Sequence, residues 1–122
     1  MAQTLELQRL SGSTNGRGIK VTGTGTGSTV TVHTASSTSG VVDMVTLYAQ
    51  NDDADGETRT LTVEWGGTTD PDDLIVVPVP CKVGPVLVAW QLPISGGLVV
   101  KAFCDEANDC VLFGSVVRVT TT

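Results

Sequence analysis

His33 is the single imidazole of this sequence, and Cys81, Cys104 and Cys110 are its three thiols. A serine or cysteine nucleophile needs a base to take its proton, and His33 is the one side chain of that kind on offer. It falls on a strand expected over Thr29 to Thr34, with no acidic residue beside it in sequence and no Gly-x-Ser-x-Gly elbow anywhere. His33 therefore reads as a strand histidine facing solvent or a polar edge, and the chain as a protein without enzymatic activity. The carboxylates suggest a second chemistry. Asn51-Asp52-Asp53-Ala54-Asp55-Gly56 repeats the first half of a calcium loop, with oxygen ligands at Asn51, Asp53 and Asp55 and a turn glycine after them. The twelfth position is Thr62 where a bidentate Glu is needed, and the flanking segments are strands where helices are expected. An acidic turn is the plainer reading, so no metal is expected there.

Other sites fail on spacing. Zinc would have to recruit the three cysteines and His33 without a Cys-x-x-Cys knuckle. Gly23-Thr24-Gly25-Thr26-Gly27 is glycine-rich, but no helix follows to offer its N-terminus to a phosphate. No cofactor is expected. Acidic residues outnumber basic ones 13 to 7, a net charge of −6, which argues against nucleic acid or an anionic membrane as partner.

The elements that must carry these residues are short. Ile19 and Val21 alternate with Lys20 and Thr22, and Val30 and Val32 alternate with threonines after the Thr24 to Ser28 turn, which reads as a hairpin. Val41 to Ala49 carries Val45, Leu47 and Ala49 on one face and Val42, Met44 and Tyr48 on the other, so it is expected to be central and covered on both faces. Thr58 to Trp65 forms a second expected hairpin with it across the acidic turn. Leu74 to Val77 follows, and Pro78 and Pro80 keep that stretch out of a central position. Gly84 to Leu92, Gly97 to Cys104 and Cys110 to Thr120 complete the set, the last two flanking a five-residue hairpin loop that would set Cys104 and Cys110 roughly opposite each other. No stretch keeps a helical period. About eight short strands with frequent turns imply an all-β fold, a single β-sandwich of jelly-roll or Greek-key type spanning residues 17–122. Leu61, Val63 and Trp65 are expected in its core, with Phe103 or Phe113.

Residues 1–16 read as an N-terminal arm. Leu5 and Leu7 alternate with polar residues, which suits either a strand added to a neighbouring sheet edge or the first strand of the domain's own sheet. No signal-peptide pattern and no apolar run of membrane-spanning length is present. Three cysteines cannot all pair within one chain, which suits a reducing compartment.

The stretch Trp65-Gly66-Gly67-Thr68-Thr69-Asp70-Pro71-Asp72-Asp73-Leu74-Ile75, the Val-Pro-rich segment after it and Phe113-Gly114-Ser115-Val116-Val117-Arg118-Val119 resemble small β-rich virion structural proteins of tailed bacteriophages. The resemblance implies a non-enzymatic protein that decorates or cements the outer surface of an icosahedral capsid, assembled in the host cytoplasm. Its partners would be the major capsid protein and copies of itself. Leu5, Leu7, Arg9 and Leu10 of the arm, and Asp70, Asp72 and Asp73 of the acidic loop, are then the expected contact residues. A neck, tail or fibre component of a virion and a carbohydrate- or receptor-binding β-sandwich are the alternatives.

Overall fold

Alternation with a period of two places one side of each strand indoors, and the partner of each strand is then set by which apolar faces meet. The computed structural model describes residues 2–122. Nine strands follow in chain order: β1 (Gln3–Arg9), β2 (Ile19–Lys20), β3 (Val30–Thr34), β4 (Val41–Asn51), β5 (Arg59–Trp65), β6 (Leu74–Val79), β7 (Val86–Ile94), β8 (Val99–Cys104) and β9 (Cys110–Thr121). They form two antiparallel sheets. Sheet A has the order β1-β9-β4-β7, with β2 also paired to β9, and sheet B has the order β3-β8-β5-β6.

The pairings are nested. β5 pairs with β6, β4 with β7, β3 with β8 and β2 with β9, as if one long hairpin ribbon had been closed at the β5–β6 turn. That ribbon is then wound so that β4 lies along β9 from Val41↔Thr120 to Asn51↔Cys110, and β5 lies along β8. Nested pairing followed by winding is the jelly roll, so of the two sandwich types open in the sequence this one is realised. β1 is an addition to it, running beside the second half of β9 from Gln3↔Thr121 to Arg9↔Ser115.

Three expected hairpins are not hairpins. The connections β2–β3, β4–β5 and β8–β9 each cross from one sheet to the other. Sheets stack about 10 Å apart, and the small polar residues that favour a tight turn serve equally well in an arch of five to nine residues. Among consecutive strands, β5 and β6 alone form a hairpin, over the loop 66–73. The expected arm is likewise partly built in, because residues 3–9 are an edge strand of the chain's own sheet A.

The core between the sheets is aliphatic. Val45, Leu47 and Ala49 of β4 and Leu112 and Val116 of β9 meet Leu61 and Val63 of β5, Val100 and Ala102 of β8 and Val32 of β3. Trp65 only lines this core, half-buried, with its indole N–H donating to the Pro93 carbonyl at 3.1 Å. Neither phenylalanine is inside. Phe113 lies opposite Tyr48 and Phe103 opposite Thr62, both on outward-facing positions, because their neighbours in sequence already occupy the inward ones.

Leu61→Ala is expected to cost about 2–5 kcal/mol in urea unfolding, and Phe113→Ala about 1 kcal/mol or less. Equal losses would show that the outward face had been misassigned.

Candidate functional site

The residues singled out for chemistry lie in three places. His33 is buried and partnered, contrary to the solvent-facing reading. Its Nδ1 accepts from the Ser11 backbone N–H at 3.1 Å, which leaves the proton on Nε2, 2.7 Å from Asp43 Oδ2. Asp43 also receives two guanidinium hydrogen bonds from Arg118, at 2.8 and 3.0 Å. Burial alone would raise the Asp43 pKa, but the hydrogen bonds from Arg118 and His33 outweigh it and hold the carboxyl below its ordinary value. Both imidazole nitrogens are thus committed, and the side chain is shut off from solvent. The histidine–carboxylate pair joins the sheets; it does not serve a nucleophile.

The calcium candidate is also spent on structure. Asn51 is buried, its amide donating to the carbonyls of Glu57 and Val79 while its oxygen accepts from Asp53 N–H. Asp53 Oδ2 accepts from the backbone N–H groups of Asp55 and Glu57, and Oδ1 receives the Arg59 guanidinium at 2.9 Å. The backbone bond from Glu57 and then the Arg59 contact hold the Asp53 pKa far below its ordinary value. Arg59 also bonds Asp109 at 3.0 Å, tying the β4–β5 arch to the β8–β9 arch. Asp55 is exposed and does not join Asn51 and Asp53 in a ligand set. A cation would meet N–H donors and a guanidinium where it needs free oxygens.

The cysteines meet in part. Cys104 and Cys110 are fully buried free thiols with sulfurs 3.1 Å apart. They come together where the chain crosses between sheets. The hydrogen bond from Cys110 lowers the Cys104 thiol pKa, and the same contact raises that of Cys110. Cys81 lies apart, its thiol donating to the Asp53 carbonyl.

The expected contact residues divide. Leu5, Leu7 and Arg9 are exposed on β1, whereas Leu10 is 2% exposed and belongs to the core. The chain turns inward at Leu10 because the segment after β1 is pinned by Ser11 N–H on His33 and by Gly12 N–H on the Val32 carbonyl. Asp70 and Asp72 are exposed, but Asp73 folds back to accept from Thr69 N–H and so shapes its own loop.

One surface departs from the expectation. β4 is central, as expected, yet among the described residues no strand lies over its second face. Register puts Leu7, Val117 and Met44 side by side on the outward face of sheet A, and Leu5, Val119 and Val42 beside them. Phe113, Tyr48 and Leu87 form a third row. Leu5 is 66% and Leu7 79% exposed, and Trp90, 65% exposed, follows the inward Ala89 on bulged β7. The two-sided apolar pattern of residues 41–49 implies cover on both faces, and the structure covers the inward one alone.

No protein-family model and no curated protein matches the chain. One similar solved structure holds the CBM22-1 and GH10 modules of the Clostridium thermocellum endo-1,4-beta-D-xylanase 10B, complexed with xylohexaose. Identity is 13% and the TM-score 0.42 over 97% of this chain, which spans a quarter of that chain's length. A likeness of that size carries no inference about function.

Acid should unfold this protein through Asp43 and Asp53. A carboxyl whose folded pKa lies below its unfolded value adds stability above the unfolded value, lost as pH falls through the folded one. Urea midpoints are expected to hold from neutrality to about pH 4 and then fall steadily. Asp43→Asn should be less stable at neutral pH and should fall less steeply in acid. An acid limb unchanged in slope would show that Asp43 is not one of the titrating groups.

Proposed function

We propose that this chain is a non-enzymatic structural protein of a virion, which decorates or cements the outer surface of an icosahedral shell and works through surface contact. The observation that carries the reading is the uncovered outward face of sheet A. Its apolar rows through Val119 and Val117 reach the open sheet edge at β1, and a polar row of Arg9, Ser115 and Thr46 separates them from the row of Phe113, Tyr48 and Leu87. Exposed apolar faces of this extent mark association surfaces. The strands β1, β9, β4 and β7 together give the whole outward face roughly 600 Å², somewhat below the roughly 800 Å² per partner of a standard interface.

The edges support the same reading. Bare strand edges invite pairing, and proteins usually blunt them. β6 carries Pro78, β7 carries Pro93 and two register shifts, and β3 is five residues long with a bulge. β1 has seven residues in unbroken register and no proline. Strand addition onto β1 and packing on the adjoining face would act together, and copies repeated over a symmetric shell would multiply weak contacts. Jelly rolls also recur in viral capsid domains, a fold-level analogy in the same direction.

A second reading is favoured by Trp90. An exposed indole on the same sheet as the exposed rings of Tyr48 and Phe113 suits stacking on a sugar, as in a carbohydrate-binding module.

Counting copies in purified particles separates these readings. Hundreds of copies over the shell are expected, and Leu5→Lys/Leu7→Lys should reduce occupancy strongly without lowering the melting temperature. Six or twelve copies at one vertex would make it a neck or tail part. Absence from particles, with glycan binding lost in Trp90→Ala, would replace the proposal by the carbohydrate-binding one.

A further inference from the structure

A second feature lies away from the association face, on the outward side of sheet B. A cavity of about 200 Å³ opens there between the end of β5, with Glu64, the Gly66-Gly67-Thr68 turn, and the start of β8, with Lys101. Glu64 is 2% exposed, although it sits on an outward position opposite Lys101. Its Oε2 accepts from the Thr26 hydroxyl, supplied by the β2–β3 arch. Its Oε1 is, among the described residues, the one buried side-chain oxygen without a hydrogen-bond partner. Folded proteins satisfy nearly every such atom, so an orphan acceptor at an open cavity calls for a donor brought from outside.

The rest of the cavity indicates what the donor belongs to. Glu64 and Lys101 leave the same face of the sheet from directly opposed positions. Among the described residues no ion pair joins them. The cavity therefore offers an acceptor without a partner and an ammonium outside any ion pair, on directly opposed residues. Gly66, Gly67 and Gly97 line it without side chains, and Gly66 and Gly97 hold φ values of +81° and +74°. A Cβ at Gly66 would also press on Leu98 Cδ1 at 3.2 Å. A cationic ligand would be opposed by the Lys101 ammonium, and an anionic one would face the Glu64 carboxyl. A neutral molecule with hydroxyls on adjacent carbons meets both groups at once.

We propose that this cavity binds a small neutral polyhydroxylated molecule, one hydroxyl donating to Glu64 Oε1 and its neighbour accepting from the Lys101 ammonium. The volume is below the roughly 300–1,000 Å³ of pockets that enclose drug-sized ligands, and suits a single ring. The site is independent of the sheet A face and of the virion reading.

The test is a titration of isotope-labelled protein, followed by backbone amide shifts. The probes are glucose, galactose and xylose, with sodium acetate and methylammonium chloride as charged probes. Saturable shifts are expected at Gly66, Gly67 and Gly97 with at least one sugar. They should weaken about tenfold or more in Glu64→Gln, where an amide NH₂ replaces the orphan acceptor, and in Lys101→Met. Lys101 is half-exposed, so that variant keeps the test open if Glu64→Gln is poorly folded. The proposal is overturned by no saturable shift with any sugar, or by shifts with the charged probes alone. Sugar shifts centred on Trp90, or equal in wild type and Lys101→Met, would overturn it too.

Discussion

The carboxylate of Asp43 is the interaction on which the rest of this jelly roll depends. It sits on the inward face of β4 with no exposure, paired in the ladder to Arg118 of β9 on one side and Ile94 of β7 on the other. Arg118 holds both of its oxygens, and His33 reaches it from β3 of the opposite sheet. A buried charge stripped of its partners costs about 3–5 kcal/mol, so a slip of β9 against β4 that carried Arg118 away would be strongly disfavoured. The buried apolar face by itself excludes a slip of one residue, which would turn every side chain outward. A slip of two keeps valines and leucines inward, and it is this that the cluster opposes. The same cluster fixes where the N-terminal segment enters. Ser11 N–H must meet His33 Nδ1, which leads the chain over Leu10 into the core and leaves β1 to run along the free edge of β9.

From that arrangement the surface follows. Small aliphatic side chains fill the space between the sheets, and the larger aromatic residues stand outside it. Phe113, Tyr48 and Trp90 therefore lie on the outward side of sheet A, together with Leu5 and Leu7. An apolar core needs no such outer face, and a monomer gains nothing from it in water. On the proposed reading its value lies in being covered by another molecule. The opposite sheet is different in kind. Its outward side is partly roofed by the β2–β3 arch, whose Thr26 bonds the buried Glu64.

Strand positions were legible in the sequence, because alternation with a period of two is a local property of residues such as Leu61, Val63 and Val45. Strand partners were not. Asn51 to Glu57 looks the same whether it closes a hairpin or arches between sheets, and only long-range packing decides. The cluster at Asp43 was invisible for a related reason, since His33, Asp43 and Arg118 are separated by 10 and 75 residues. The half calcium motif misled through shared chemistry. Asp and Asn that could gather around a cation also accept backbone N–H groups in a turn, as Asp53 does from Asp55 and Glu57. Leu10 groups with Leu5 and Leu7 among the expected contact residues, but it stands one position out of their alternation, and the chain has left β1 there and turned into the core.

The central claim is that the outward face of sheet A is buried by other molecules in the working assembly. Hydroxyl-radical footprinting of the protein free in solution and in the particle proposed for it addresses this directly. Oxidation at Leu7, Met44, Tyr48 and Phe113 should fall sharply in the particle, while Val76 and Val83, exposed elsewhere on the molecule, should change little. Unchanged oxidation across sheet A, with protection at Val76 or Val83 in its place, would contradict it.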